Sequence, residues 1–282
     1  MFEFIFLFLL ALVFIIFAVV QDLKSREIAN WLNWSLVIFA LGFRFFWSLF
    51  QGEWSFFYQG LIGFGIFFVL GNLFYYTHLF AGGDAKLMGT LGAVIPFSSD
   101  FASNLEIFLF FIFSFLIIGA VYGLGVTIFF SFRKWKKFKK EFFVQFGKNK
   151  LVVYLGIAFA ILLIAFNSVS SLFVYLGILM FVISYLYIYA KAVDAVCMVR
   201  EVSVNKLTEG DWLYEDVFIN GKKIKATWDG LLTEDIVLLK KCKKTVLVRY
   251  GIQFAPVFLI SFLFLGISFF LDWLGKIFSF FI

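Results

Sequence analysis

Long apolar stretches separated by short polar segments recur along this chain, and they constrain its fold more than any other feature. A helix needs about 20 apolar residues to cross a lipid bilayer. Eight stretches are candidates for such helices: 3–21, 31–50, 56–79, 83–96, 105–131, 151–167, 171–194 and 251–271. The fourth is short enough to be a partial span, and the sixth and seventh could form a tight hairpin or one re-entrant unit. The pattern predicts an all-α polytopic membrane protein with six to eight transmembrane helices.

The composition and the position of the charges agree with a membrane protein. Of the 282 residues, 63% are hydrophobic, whereas a soluble domain averages about 45–50%. The net charge of +6 could point to nucleic acid. The charges cluster between the apolar stretches, however, as they do at the cytoplasmic face of a membrane protein. We therefore expect the lipid bilayer as a partner and no nucleic acid. The two cysteines form no CxxC motif, and we expect no metal and no other cofactor.

The basic residues also predict the orientation of the helices. If segment 22–30 lies in the cytoplasm, alternation of the spans places 132–150 and 195–250 on the same side. The loop 132–150 is strongly basic, with Arg133, Lys134, Lys136, Lys137, Lys139, Lys140, Lys148 and Lys150. Lys and Arg are absent from the opposite segments 51–55, 97–104 and 168–170. The arrangement satisfies the positive-inside rule.

The polar segment 195–250 is predicted to be a small cytoplasmic α+β insertion. Asn220-Gly221 lies between two short β-prone runs, which is a strong signal for a hairpin. Thr233 can cap a following helix that has acidic residues in its first turn. The predicted domains are a transmembrane catalytic domain 1–194 with the basic loop 132–150, the soluble domain 195–250, and a C-terminal helix and tail 251–282.

Two aspartates lie at the ends of apolar stretches, where a carboxylate is costly. Asp22 ends the first stretch, and Asp84 opens the fourth within Ala-Gly-Gly-Asp-Ala-Lys at 81–86. A carboxylate near hydrocarbon usually faces a polar interior and has a function there. The charge pattern puts both near the cytoplasmic face, so packing of the first helix against the fourth would pair them. Two paired carboxyls share a proton, and one can activate water while the other acts as an acid.

The neighbourhood of each aspartate suggests how the pair is held. Gly82 and Gly83 are expected to let the backbone bend and to admit a substrate strand. Asp84 lies in the first turn of its helix and Asp22 near the end of its own. The helix dipoles therefore predict Asp84 to be the ionised member of the resting pair. Arg44, within the second stretch, is expected to reach the outer interface.

These motifs resemble a known family, the GxGD-type aspartic membrane proteases of the prepilin peptidase class, and especially the archaeal preflagellin and prepilin-like peptidases. Gly-Asp-Ala-Lys at 83–86 is similar to the family's GxGD-x-K motif, with Ala81 in place of the first Gly. Segment 22–30 is similar to the family's stretch from the first aspartate to Ile-Pro-Asn, with Ala29 in place of Pro. Gly-Ile-Gln-Phe-Ala-Pro at 251–256 is similar to the Gly-Ile-Pro-Phe-x-Pro that opens the family's last helix.

The resemblance implies a function. It implies an aspartic endopeptidase that removes short basic leader peptides from membrane-anchored pilin-like or archaellin precursors, at the cytoplasmic face of the cell membrane. The implicated residues are the catalytic Asp22 and Asp84, the supporting Gly82, Gly83 and Lys86, and the substrate-binding candidates Glu27 and Asn30. Bacterial relatives with paired-cysteine zinc motifs also N-methylate the new terminus. This chain lacks those motifs, and no methyltransferase activity is expected.

Three other functions remain open from the sequence. A presenilin-like intramembrane protease would place its aspartates deeper in the bilayer and carry a Pro-Ala-Leu element, which the sequence lacks. A proton-coupled transporter could use the aspartates as a relay. Such transporters often show inverted repeats, but the later half has no second Gly-Gly-Asp segment. A catalytically silent assembly protein could also keep the family scaffold.

Overall fold

The computed structural model describes residues 2–219, 222–228, 230–242 and 245–271. Ten α-helices lie within them: α1 (Phe2–Ser25), α2 (Asn30–Gln51), α3 (Ser55–Tyr76), α4 (Gly82–Gly92), α5 (Phe101–Arg133), α6 (Trp135–Lys148), α7 (Lys150–Ala165), α8 (Leu172–Val193), α9 (Thr233–Cys242) and α10 (Ala255–Phe270). Six helices of these described residues are long and apolar enough to cross a membrane, namely α1, α2, α3, α5, α7 with the short turn that continues it to Ser168, and α8 with its continuation to Met198. The helix α10 is apolar but shorter, with 16 residues. The predicted polytopic helical fold is confirmed.

Contacts divide the chain into two compact units. The first contains the residues up to Gly123 together with those from Gln253 onwards, and the second contains Leu124–Ile252. In the first unit, α1 packs mainly against α2 and α10, whereas α4 packs mainly against α3 and α2. The predicted boundaries at residues 194 and 250 stay predictions.

Phenylalanine rings fill the core of the first unit. Phe115 of α5 and Phe258 of α10 are almost fully buried, and their ring centroids lie 4.7 Å apart. Phe67 of α3 meets Phe108 of α5 edge to face at 5.3 Å. Because such edge-to-face contacts fix the ring geometry as well as burying apolar surface, they hold α3, α5 and α10 in register around α4.

The helices α3 and α4 approach each other at backbone distance. A Cβ atom on Gly63 would collide with the carbonyl oxygen of Gly92, and a Cβ on Gly92 would collide with the carbonyl oxygen of Gly63. Small residues at helix interfaces permit this approach inside membranes. The close packing fixes the position of α4, the helix that carries Asp84.

The fourth apolar stretch, predicted over 83–96, is helical only to Gly92. Residues 93–97 continue as buried, non-helical chain. Arg44 of α2 is fully buried beside them. The prediction that its side chain reaches the outer interface is therefore wrong. Its guanidinium donates hydrogen bonds to the carbonyl oxygens of Ala93, Val94 and Pro96, at 2.9, 3.1 and 2.6 Å. The buried carbonyls of non-helical chain need donors, and Arg44 supplies them.

In the second unit, α7 and α8 form a hairpin. They pack against each other and are joined by the short turn of residues 166–171, and both are among the six candidate spans. The segment 132–150, predicted as a loop, instead forms the helix α6 over most of its length. Phe138 and Phe142 stand four residues apart and belong to one cluster, in which Phe138 meets Tyr189 of α8 at 5.6 Å. This apolar stripe packs α6 against α8, while the lysines of α6 are exposed.

The polar segment contains two small antiparallel sheets and α9. One sheet has the order β1 (Val199–Ser203), β5 (Thr245–Arg249) and β2 (Trp212–Leu213), and the other pairs β3 (Val217–Ile219) with β4 (Lys222–Ile224). The register Ile219↔Lys222 agrees with the predicted hairpin, whose turn Asn220-Gly221 lies outside the described residues. Thr233 is the first residue of α9, and its hydroxyl donates to Glu209 Oε2 at 3.0 Å. The predicted α+β character is therefore confirmed.

Candidate active site

Asp22 lies in the last turns of α1 and is buried, with 7% of its surface exposed. The backbone N–H of Ala255, the first residue of α10, donates to Asp22 Oδ2 at 3.1 Å. The side-chain amide of Gln253 donates to the backbone carbonyl oxygens of Asp22 and Leu23, both at 3.2 Å. Hydrogen bonds therefore connect the end of α1 to the start of α10.

Asp84 is the third residue of α4, a helix outside the six candidate spans, and is half-buried. Burial raises the pKa of the Asp84 carboxyl to about 7, and the negative charge of Asp22 adds to the rise. A backbone hydrogen bond with Ala81 opposes it. The two carboxyls therefore lie within electrostatic reach of each other; their catalytic pairing stays a prediction.

The direction of this pKa shift contradicts the expected preference for an ionised Asp84. The helix dipole of α4 favours the charged form, but burial and the like charge of Asp22 outweigh it. Asp22 is also buried, but it accepts a backbone N–H from the N-terminus of α10. The expectation used only the helix to which each aspartate belongs and omitted α10.

The segment after Asp22 packs on the start of α4. A Cβ atom on Gly83 would lie 3.3 Å from Ile28 Cβ, so Gly83 permits a close contact there. Lys86 Nζ donates to Asn30 Oδ1 at 2.6 Å. These two contacts join the segment after Asp22 to the first turns of α4, although the main packing partners of α1 are α2 and α10.

The remaining predicted site residues are Gly82 and Glu27. Gly82 lies in the first turn of α4, and a Cβ atom there would make an ordinary contact with Tyr75 Cε2 at 3.8 Å. Glu27 is exposed, and its backbone carbonyl accepts a hydrogen bond from Ser25 Oγ at 3.3 Å. Within the described ranges, no three His, Cys, Asp or Glu side chains come together as metal ligands would.

Sequence reasoning missed two contributions to the site. Arg44 holds the chain that follows α4, and an apolar stretch gives no sign of which polar groups lie beside a buried arginine. The start of α10 contacts Asp22 from more than 230 positions away. The motif at 251–256 predicted the start of the last helix, but it did not indicate that this start contacts Asp22.

Comparisons with known proteins place the similarity in the same part of the chain. The sequence pattern of the type IV leader peptidase family matches residues 8–124. A preflagellin peptidase of Methanocaldococcus jannaschii is 36% identical over 89 residues, which cover 32% of this chain and 38% of that protein. A preflagellin peptidase of Methanococcus maripaludis is 34% identical over 82 residues, covering 29% and 35%.

The match thus covers less than two fifths of either relative's length. No solved structure matches the chain. Asp22, Asp84 and the residues that link them all fall inside the matched range, whereas α10 falls outside it. The resemblance to the archaeal preflagellin and prepilin-like peptidases is therefore confirmed over residues 8–124, which match the type IV leader peptidase family.

Proposed function

We propose that the chain is an aspartic endopeptidase that removes leader peptides from membrane-anchored pilin-like or archaellin precursors. The observation that carries the proposal is the electrostatic coupling of Asp22 and Asp84 within the leader-peptidase region. The two relatives above are preflagellin peptidases, which supports a substrate of the same kind here.

The chemistry follows from one ionised and one protonated carboxyl. Asp22 takes a proton from a water molecule, whose oxygen attacks the peptide carbonyl carbon. Protonated Asp84 donates a hydrogen bond to the carbonyl oxygen as negative charge develops on it. The C–N bond then breaks as the Asp84 proton passes to the leaving nitrogen. The proton held by Asp22 returns to Asp84, which restores the pair with one water consumed.

The surroundings of the pair suit a peptide with a basic leader. Asp84 is half-buried rather than enclosed, so a substrate can reach it from outside. Glu27 is exposed in the short segment after Asp22, and its carboxylate can attract a leader lysine or arginine. Lys86, bonded to Asn30, fixes this segment to α4. The basic residues of 132–150 support a position of the site at the cytoplasmic face.

The test is cleavage of a precursor by the full chain and its variants. We would co-express the chain with an archaellin or pilin-like precursor and follow the mobility shift on leader removal. Asp22→Asn and Asp84→Asn should each reduce cleavage by at least about a hundredfold, as expected for lost acid–base groups. Asp100→Asn is the matched control, because Asp100 is exposed, precedes α5 and accepts a hydrogen bond from Ser103 N–H, a cap that Asn also makes.

The outcomes separate the possible functions. Retained cleavage in both Asn variants would end the proposal of a catalytic pair. Cleavage of no precursor by the wild-type chain, at normal expression, would favour a transporter or an assembly protein. Loss of cleavage in Asp100→Asn as well would indicate a folding defect common to charge removal rather than a catalytic role.

A further inference from the structure

The entry into α10 makes the most direct polar contact with the candidate catalytic pair. The Ala255 amide donates to the carboxylate of Asp22, and Ala255 itself is fully buried. The backbone amide of Phe254 also interacts with this carboxyl. These donors come from outside the region that matches the leader peptidase family.

The physical consequence of the contact is specific to the charged form of Asp22. The first amides of a helix have no intrahelical acceptor, and the helix dipole gives that end a partial positive charge. A carboxylate at this position is stabilised relative to its neutral form, because hydrogen bonds to an ionised acceptor are about twice as strong as neutral ones. The N-terminus of α10 therefore favours the ionised state of Asp22.

Gln253 fixes the position of the α10 N-terminus relative to the end of α1. Its side-chain amide bridges the carbonyl oxygens of Asp22 and Leu23, which are among the last carbonyls of α1 and have few intrahelical donors. The bridge joins the C-terminal end of α1 to the first residue of α10. Loss of the bridge would let the Ala255 amide move away from the carboxylate without removing the amide.

Three other titratable groups act on or face Asp22 in the described residues. Asp84 of α4 carries the like charge that opposes joint ionisation. Arg26, in the segment after α1, favours the ionised form of Asp22 by its charge. Tyr122 of α5 lies within reach of the Asp22 charge. A variant at the start of α10 leaves all three unchanged.

We propose that residues 253–255 are a positioning element of the active site, which favours the ionised form of Asp22 against the effect of its burial and thereby makes Asp22 the base and Asp84 the acid. The inference rests on the proposed peptidase function and deepens it. It assigns a positioning role to Gln253 and to the backbone of Ala255, neither of which needs to touch the substrate.

The experiment removes the hydrogen bond from the Ala255 amide to the Asp22 carboxylate. Ala255→Pro deletes the amide donor at the first position of α10, where the fixed φ of proline suits a helix start. The αR dihedrals of Phe254 are disfavoured before proline, so the folding of this variant is measured first. Ala255→Gly is the comparison, since it alters the same side chain but keeps the amide. The readout is kcat/KM for precursor cleavage by the purified full-length chain in detergent, measured from pH 4 to 9, because its limbs report the ionisations of the free enzyme.

We expect the acid limb of the Ala255→Pro profile to move up by about one pH unit relative to Ala255→Gly. A shift of one pH unit corresponds to a tenfold loss of kcat/KM at a fixed pH on that limb. The basic limb should stay in place. Superimposed profiles for the two folded variants would overturn the inference. If Asp22→Asn still abolishes cleavage in that case, the proposed function stands; if Asp22→Asn cleaves normally, both fail.

A second variant keeps the inference testable if Ala255→Pro does not fold. Gln253→Leu removes the bridge while preserving the approximate volume of the side chain. Its acid limb should also move to higher pH, with kcat reduced more than KM is raised. An unmoved acid limb in folded Gln253→Leu would overturn the positioning role.

Discussion

At the scale of single residues, the half-buried carboxyl of Asp84 sets the expected pH dependence of the site. Burial and the charge of Asp22 raise its pKa to about 7. As the proposed acid of the pair, Asp84 must be protonated to act. Its carboxyl is mostly protonated below that pKa and mostly ionised above it. We therefore expect cleavage to fall as pH rises through about 7, approaching a tenfold loss per unit beyond it. The measurement is kcat/KM for a precursor peptide between pH 5 and 9.

The control for this pH profile is the thermal stability of the detergent-purified chain over the same range. A midpoint that stays constant while cleavage falls assigns the loss to the site rather than to unfolding. The Asp100→Asn variant should show the same basic limb as wild type. Undiminished cleavage up to pH 9 would contradict a working proton on Asp84.

Two residues that depart from the family pattern are explained by their backbone geometry. Ala81 precedes α4 with φ −72° and ψ 161°, an extended conformation open to any residue, so glycine is not required there. Ala29 has φ −61°, the value that proline would fix. Its N–H donates to Gln21 Oε1 at 3.0 Å, a bond that proline could not make. The sequence revealed both departures but could not reveal these dihedral angles.

At the scale of elements, α4 and the chain after it act together. An 11-residue helix is too short to cross a bilayer, and residues 93–97 extend it as buried chain. Non-helical backbone at such depth must find donors within the protein. Arg44 also donates to the carbonyl oxygen of Phe56 at 2.9 Å, so it joins α3 to the end of α4. Gly60 leaves the space that the Arg44 side chain occupies.

The buried guanidinium leads to a stability prediction. Arg44→Lys keeps the charge but replaces a planar group bonded to four carbonyls with a compact ammonium that cannot reach them all. Because hydrogen bonds to charged groups contribute about 1.5–3 kcal/mol each, we expect a loss of at least about 2 kcal/mol. The measurement is thermal unfolding in detergent, seen as a clear fall in midpoint.

Arg133→Lys is the matched control, since Arg133 is exposed at the end of α5. A change there should stay within about 0.5 kcal/mol. Equal midpoints for the two lysine variants would show that the four carbonyl contacts of Arg44 add nothing to stability. A cleavage defect in Arg44→Lys that matches its loss of folded protein would assign Arg44 to the fold rather than to the chemistry.

Hydrophobic periodicity predicted most elements but not their packing. The long apolar stretches gave helices, because each side of such a helix can face lipid or another helix. The helix α6 was predicted as a loop, since its lysines dominate the composition and its stripe of Phe138 and Phe142 is narrow. The pairing of Asp22 and Asp84 was predicted from charge placement and stays a prediction. The contact of Asp22 with α10 could not, because it depends on how helices pack in three dimensions.

At the scale of the whole molecule, the distribution of basic residues supports one orientation in the membrane. The exposed lysines of α6 lie between α5 and α7, both candidate spans. Whichever way the chain is inserted, the charged helix therefore lies at a membrane face. We expect that face to be cytoplasmic by the positive-inside rule. If α4 and residues 93–97 together make one crossing between α3 and α5, the alternation of spans puts the α2–α3 turn on the opposite side.

Cysteine labelling tests this orientation directly. In a Cys197→Ser, Cys242→Ser background, we would introduce Glu53→Cys between α2 and α3 or Lys139→Cys on α6, both at exposed positions. A membrane-impermeant maleimide should label Glu53→Cys in intact cells and label Lys139→Cys only after permeabilisation. Labelling of both in the permeabilised cells is the control for reactivity. The reverse pattern would invert the chain in the membrane and move Asp22 and Asp84 to the outer face, where a leader still in the cytoplasm could not reach them.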